Sequence, residues 1–542
     1  MINYQPILPK TSHCESILVL DLTHDKFNKT WEAKEALIAS TTIQGIVNRT
    51  SNIKLYFINY PNEHFWNPPE TDLHQIETLG FFPVPYIYAK LDTKKKYPVL
   101  SYLMNNYGDF IKGKVIYPAL SESVCDGAVM AALTVCGQTD SVMMSPAMDD
   151  YIKADGLKLS LIEDTTGLSC NIDAFKWSKE KYFTAFTTRA FIGQHSYTAF
   201  GGKAEDQFPS LYDYYIANKA FVFCLNGNVE NEKTMLSDIL NEKCYPYATP
   251  VIGLPVDEGE GLKTIESEGY YFIIANVQNL SCTSSFSSDP SRLEPQPEPK
   301  AAQIRENGAY VAFYVTDGDS MAFSTVFHYD EMKNFHHFEN IKVPVGWSFS
   351  PLLLDIYPSF VEWTWKLAPD RFEMISDWHD QNYGTLRKSN EKVWNKYCKT
   401  QISYLKAMGI YTTNDFEADD AYAKAVRPYY QIKCYQGEAG SSTDMSLVDG
   451  IVTSSMSGKT QCKDIAQTEY EINCVLENIP EGQPAFIMVC IGDGRAAYGG
   501  GDIIFKVKNV MDRLLEKPGK RDFNFMMPKD LAATFKNWQE GK

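Results

Sequence analysis

The sequence predicts a multidomain α/β protein whose C-terminal part is a (β/α)8-like, TIM-type barrel preceded by an N-terminal α/β region of several small subdomains. Three observations carry this expectation. At 542 residues the chain exceeds what a single hydrophobic core sustains. The stretch 284–303, SSFSSDPSRLEPQPEPKAAQ, contains four prolines and little to bury. Proline withholds a backbone donor and favours extended geometry, so this stretch reads as a linker or surface crossing. Beyond it, apolar runs of strand length alternate with helical patterns through residues 304–542.

The N-terminal elements follow a βαβ rhythm. Apolar runs at 17–22 and 53–58 flank an amphipathic stretch at 31–49, and the pattern returns at 114–117 with 124–136, then at 220–224, 232–240 and 271–275. Residues 1–283 therefore read as α/β, with subdivisions near 105 and 210. Eight strands are expected in the C-terminal region, at 309–316, 342–349, 371–375, 409–413, 429–434, 447–453, 484–491 and 523–527. Most are near-continuous apolar runs, as strands buried on both faces should be. Helical patterns follow at 360–367, 392–408, 418–426, 465–476, 503–515 and 529–538, while the link between the fifth and sixth strands reads as a loop. Eight such units in about 240 residues fit a barrel whose usual size is about 250.

Composition narrows the partners. An excess of 68 acidic over 51 basic side chains gives a net charge of −17, which repels phosphate backbones and anionic lipid heads. Nucleic acid and membrane insertion are not expected, and no stretch approaches the ~18 apolar residues of a membrane span. Neutral sugars meet no such repulsion, and the 13% aromatic content offers flat faces for stacking as well as filling for cores. The 12 cysteines show no CxxC pair or zinc spacing and are expected as buried thiols. The N-terminal residues carry no secretory pattern, so the expected location is cytoplasmic by default, or secreted if a leader was removed. No GxSxG elbow, HExxH motif or Walker loop is present, and no cofactor is implied.

Parallel barrels place their sites where the loops leave the C-terminal ends of the strands. Acids recur there: Asp317 and Asp319 after the first strand, Asp377 after the third, Asp415 after the fourth, Glu438 after the fifth and Asp493 after the seventh. Glycosidic cleavage needs two carboxyl groups flanking one bond, one protonated and one ionised. Single Asp residues after strands also cap the following helix, but acids at so many strand ends favour a shared site. Gly318 permits a sharp bend that turns Asp317 and Asp319 toward one opening, where they serve as a carboxyl pair or as hard-cation ligands. Trp347, Ser350, Trp378, His379, Tyr383, Asp493 and Arg495 are the expected substrate-binding residues. For Trp347 a sugar-subsite floor and simple packing both stay open. His379 fits an acid/base or metal set, or a structural hydrogen bond.

Several segments resemble one family in constant order along nearly the whole chain. The run 42–49, TIQGIVNR, before the strand at 54–57 resembles an LQGLVNR segment, and 213–217, DYYIA, leading into 221–223 resembles another. In the C-terminal half, 315–320, VTDGDS, resembles an SDGDN strand end and 345–351, VGWSFSP, resembles a GWTLSP segment. These are features of the GxGYxYP family, to which glycoside hydrolysis is ascribed from fold and motif. The chain departs from it at two points. Ser320 replaces the final Asn of the SDGDN motif, and the name-giving signature expected after the third barrel strand is replaced by 376–384, SDWHDQNYG.

The functional expectation is hydrolysis of a glycosidic bond in an oligosaccharide or polysaccharide at the C-terminal barrel mouth. Asp317 or Asp319 supplies one carboxyl group, and Asp377, Asp415 or Glu438 supplies its partner. Two other readings stay open: a non-catalytic carbohydrate-binding or scaffolding protein on the same fold, and a metal-dependent hydrolase built on the DGD edge.

Overall fold

A computed structural model describes residues 4–25, 30–59, 82–120, 125–183, 192–195, 209–242, 250–254, 259–275, 277–316, 318, 321, 324–325, 343–367, 372–377, 387–388, 391–415, 420–434, 441–442, 444–456, 465–491, 503–516 and 521–541. Two units emerge. One comprises Pro6–Ser288 and Leu352–Phe360; the other comprises Met1–Gln5, Asp289–Pro351 and Val361–Lys542.

The first unit carries three parallel sheets. Strands β1 (Ser16–Asp21), β2 (Ile53–Ile58) and β3 (Tyr86–Tyr88) pair in the order β2-β1-β3. Strands β4 (Gly113–Ile116), β5 (Ser141–Met144) and β6 (Leu161–Asp164) pair as β5-β4-β6. Strands β7 (Ile192–His195), β8 (Phe221–Phe223), β9 (Pro250–Leu254) and β10 (Tyr271–Ile274) pair as β10-β9-β7-β8. Among the described residues, helices join β1 to β2, β4 to β5, β5 to β6, β7 to β8, β8 to β9 and β9 to β10, as parallel pairing demands.

Helix Trp31–Thr50 organises this unit. Its sequence reads as amphipathic, yet all residues from 33 to 48 are buried. Its polar positions are spent on internal hydrogen bonds instead of on water. Glu35 accepts from Leu120 N–H at 2.7 Å and from the Ser145 hydroxyl at 2.5 Å. Gln44 Nε2 donates to Leu55 O and to Asn279 Oδ1. Asn48 brackets β2, donating to Leu55 O at 3.0 Å and accepting from Leu55 N–H at 2.7 Å, and also reaches Ser281 Oγ at 2.8 Å. Arg49 donates to the terminal carbonyls Gly137 O, Ile216 O and Ala217 O of two other helices and pairs with Asp140. These acceptors lie in the last turns, where helix carbonyls run short of intrahelical partners. A Cβ on Gly45 would stand 2.5 Å from Asp213 O, so helix Tyr212–Ala217 packs as closely as it does only against glycine.

The second unit is a ten-stranded sheet among the described residues, and its eight parallel strands make it barrel-like and nearly closed. The first five of its parallel strands are β11 (Gly308–Val315), β12 (Val345–Phe349), β13 (Phe372–Ser376), β14 (Thr412–Asp415) and β15 (Tyr430–Cys434). The short β16 (Ser441–Ser442) and the hairpin of β17 (Asp444–Val448) and β18 (Ile451–Met456) come next. Last are β19 (Ala485–Ile491) and β20 (Asp522–Phe525). The order is β16-β19-β11-β12-β13-β14-β15-β18-β17, and β16 lies against β18 as well.

Two expectations change here. The run 447–453, read as one strand, turns at Asp449-Gly450 into an antiparallel hairpin in which Val448 faces Ile451. An Asp-Gly pair between apolar runs is a two-residue turn signal. The eighth strand does not sit between the seventh and the first. Instead β19 flanks β11 along its whole length, and β20 pairs with residues 308–311 of β11 on the edge that β12 takes up from residue 313.

Parallel register shows which side chains fill the barrel. Tyr310, Ala312, Tyr314, Ile375, Tyr430, Ile432, Val452, Phe486, Met488 and Cys490 share its core, so one parity of each strand faces inward. Leu531, Ala532 and Phe535 of helix Pro528–Gln539 join that core from the N-terminal end of the strands. This helix has no side-chain cap of its own at Met527; Glu373 of β13 supplies one by accepting from Lys529 N–H at 2.7 Å. Thr412 donates to the other carboxyl oxygen. Burial pushes the Glu373 carboxyl up to about 7, against the Lys529 ammonium and these hydrogen bonds, which pull it down.

After a single 3-10 turn at Pro290–Arg292, residues 293–305 run along the same unit without regular secondary structure. Lys300 N–H donates to Asp530, Ala302 N–H to Thr534, and the Tyr310 hydroxyl to Gln303 O.

Two stability tests follow from these contacts. Asn48→Ala strands the N–H of Leu55, whose carbonyl keeps Gln44, and is expected to cost on the order of 2 kcal/mol, read as a lower urea midpoint of the N-terminal unit. The Glu373 carboxyl titrates near 7 in the folded chain against an ordinary 4.5. Between those values the folded state binds more protons than the unfolded one, so its contribution to stability falls as pH rises from 4.5 to 7. The loss is on the order of 3 kcal/mol, and Glu373→Gln, which keeps the shape without the charge, should flatten it. Equal differences between the urea midpoints at pH 5 and pH 8 in wild type and variant would count against this role.

Candidate active site

At the C-terminal ends of the strands the inward parity continues in polar residues. On β13 the inward row is Glu373, Ile375 and then Asp377; on β12 it is Gly346, Ser348 and then Ser350; on β14 it is Thr412 and Asn414. Asp377 N–H donates to Phe349 O at 2.9 Å, extending the β12–β13 ladder one step beyond the strand. Asn414 Nδ2 donates to Asp377 Oδ2 at 3.2 Å, so the two neighbouring strands present a joined carboxylate and amide. Asp377 is 1% exposed, Asn414 1% and Ser350 0%. Beside them the Tyr430 hydroxyl and Ser454 Oγ share a 2.6 Å hydrogen bond, and Tyr314 donates to Thr316 Oγ1 at 3.2 Å.

The loop after β11 is pinned to this end of the sheet by its glycine. Gly318 N–H donates to Ser348 Oγ at 2.5 Å, and Gly318 O accepts from Ser324 Oγ. A Cβ at position 318 would lie 2.1 Å from Ser348 O, so any other residue would have to push the loop off β12. The middle residue of the DGD tripeptide is thus fixed by backbone contact.

Of the sequence-derived site residues, the structure brings Asp377 and Ser350 onto adjacent inward positions. Trp347 belongs to the opposite parity, in register with Val315 and Met374, and packs edge-on against Phe372 at 6.0 Å with no exposed surface. Of its two readings, packing is the one this geometry describes. Asp415 ends β14 in register with Lys433, and its side chain lies outside the described residues. Asp317, Asp319, Trp378, His379, Tyr383, Glu438, Asp493 and Arg495 also lie outside them. Among the described residues, no group of three or more His, Cys, Asp and Glu is placed to hold a metal ion, and no helix is long and apolar enough to cross a membrane.

Asn414, which holds Asp377, and Glu373, which caps helix Pro528–Gln539, lie outside the residues that the strand-end pattern singles out. Both carry a signal in hindsight: a lone Glu inside the apolar run 372–376 has the same alternation parity as Asp377, and Asn414 stands two residues beyond the inward Thr412.

Comparison with known proteins follows the same division. Residues 307–491, from the start of β11 to the end of β19, match the model described as "GxGYxYP putative glycoside hydrolase C-terminal domain". Residues 195–285 match the "GxGYxYP third domain". A crystal structure described as a "putative hydrolase from Bacteroides thetaiotaomicron VPI-5482" superposes with a TM-score of 0.75 at 17% identity, covering 98% of this chain and 96% of that one. At that identity the likeness speaks for the fold. No curated protein matches the chain. With both halves recognised in the order that the motifs predicted, the chain belongs to the GxGYxYP family.

Proposed function

We propose that the C-terminal unit works as a TIM-type barrel that hydrolyses a glycosidic bond, with Asp377 as one of its two carboxyl groups. The observation that carries this reading is the placement of Asp377. It continues the inward row of β13 at the C-terminal end of the sheet, held on one side by Asn414 and by its own N–H to β12. That is the end at which barrel enzymes assemble their chemistry. The family's description supplies the reaction class.

The partner carboxyl is assigned to Asp317 or Asp319, the sequence neighbours of the pinned Gly318, with Asp415 and Glu438 as the other candidates. A separation of about 5 to 5.5 Å between the two carboxyls would give retention, and about 6.5 to 9.5 Å inversion. The replacement of the signature by SDWHDQNYG after β13 favours one alternative, a protein on this fold that binds carbohydrate without turning it over. A metal-dependent hydrolase at the DGD edge is the remaining alternative.

A screen of chromogenic glycosides separates these outcomes. Under the proposal at least one glycoside is hydrolysed, Asp377→Asn lowers kcat by about 100-fold or more with an unchanged melting temperature, and Asp317→Asn or Asp319→Asn does likewise. Full activity in Asp377→Asn would dismiss the assignment. Saturable binding with no turnover, unaffected by either DGD variant, would select the binding protein, and activity lost to chelator and restored by a divalent ion would select the metal enzyme.

A further inference from the structure

Asp377 has inward-facing neighbours on both sides whose hydrogen-bonding capacity is unspent. Asn414 Nδ2 points at the Asp377 carboxylate. This fixes the amide's orientation, because turning its oxygen there would set two acceptors against each other. Asn414 Oδ1 is left buried with no hydrogen-bond partner, and so is Ser350 Oγ on the other side. Buried polar atoms without partners are uncommon, since each forfeits its hydration for nothing in return. Two of them lie on the strands either side of a carboxylate, at the ligand-binding end of a barrel.

We propose that Ser350 and Asn414 form a hydroxyl-recognising subsite around Asp377 that takes a neutral sugar ring and refuses an anionic one. The proposal rests on the glycoside reading above and adds the class of sugar. Asn414 Oδ1 can only accept, so the group it meets must bring a proton. A ring hydroxyl does this, and the Ser350 hydroxyl can donate to or accept from a second one. A uronate carboxylate, a sulfate or a phosphate has no proton to give, and it would face the Asp377 carboxylate as a like charge. Lys433, the cation on the neighbouring β15, offers no relief: it has the opposite parity to the inward Tyr430 and Ile432, and its ammonium pairs with Asp420. Asn414 has a second part as a positioning residue, holding one oxygen of Asp377.

The test uses para-nitrophenyl 1-thioglycosides of glucose, galactose, mannose and glucuronic acid, whose sulfur linkage resists hydrolysis, titrated calorimetrically into the full chain. At least one neutral thioglycoside should bind and the glucuronide should not. Ser350→Ala and Asn414→Ala should each weaken the neutral ligand about 5- to 10-fold. Ser350→Ala removes a single oxygen and carries the test if Asn414→Ala melts early. With any glycoside that the wild type hydrolyses, Asn414→Asp should move one limb of the kcat/KM profile to higher pH, because a second carboxylate beside Asp377 disfavours its charged form. It is the acidic limb where Asp377 is the ionised carboxyl and the basic limb where it is the protonated one. Equal or tighter binding of the glucuronide, no binding of any neutral thioglycoside, or unchanged affinity in Ser350→Ala and Asn414→Ala overturns the subsite. Unchanged affinity beside Asp377-dependent hydrolysis leaves the catalytic reading intact. Weakened affinity in these variants, with hydrolysis absent or independent of Asp377, removes the catalytic reading and keeps the subsite.

Discussion

The in-register parallel pairing of β12, β13 and β14 is the constraint from which the rest of the barrel follows. Because a strand alternates faces with period two, one register fixes the destination of every side chain on it. Glu373, Ile375 and Asp377 go inside with Gly346, Ser348, Thr412 and Asn414, while Trp347, Phe349 and Met374 go outside. A slip of one residue on β13 would send Met374 and Ser376 inward and expel both acids. The outer parity is locked by its own packing, with Phe349 edge-on to Trp365 at 5.3 Å and the Trp365 indole donating to Met408 O. Apolar packing on one face thereby holds the polar groups on the other in place.

The same row of β13 shows how environment divides the work of two acids. Glu373 lies where helix Pro528–Gln539 enters the barrel, sealed among apolar side chains, and its carboxyl caps that helix. Its protonation belongs to the fold. Asp377 stands two inward positions farther along, beyond the end of the strand and beside an amide whose oxygen is unspent. The unusual place of β20 contributes to this division. By pairing only with the first residues of β11, it delivers the final helix to the N-terminal end of the strands and leaves the other end to the loops.

Much of this was legible in the sequence, and what was not has physical reasons. The βαβ rhythm and most element bounds could be read because continuous apolar runs mark strands buried on both faces. The neighbour of β20 could not, since pairing is a long-range property that no local run encodes. The hairpin at Asp449-Gly450 was readable from its turn pair but was masked by the apolar run around it. The amphipathic pattern of 31–49 does not reveal that helix Trp31–Thr50 is buried all round, because Gln44, Asn48 and Arg49 look like a wet face until their partners on β2 and at two helix ends are known. At the site, an acid after a strand reads the same whichever way it faces. Alternation from Glu373 singles out Asp377, and the same rule applied to β12 separates Ser350 from Trp347.

The family likeness therefore rests on two kinds of residue. In the N-terminal unit the TIQGIVNR segment is architectural: its glycine admits a helix, and its polar groups close hydrogen bonds that burial would otherwise leave open. In the barrel the pinned Gly318 and the inward Ser350 sit where β11 and β12 end, and Asp377, at the end of β13, is the second residue of the stretch 376–384 that replaces the name-giving signature. The departure thus takes in the carboxylate and the loop beyond it, while Glu373 and Ile375 of the inward row lie ahead of it on the strand. Strands fix where a reacting group stands, whereas loops decide what reaches it. On the proposed reading, the loops decide which sugar reaches the carboxylate, and the unspent oxygens of Ser350 and Asn414 are where a ring hydroxyl is recognised.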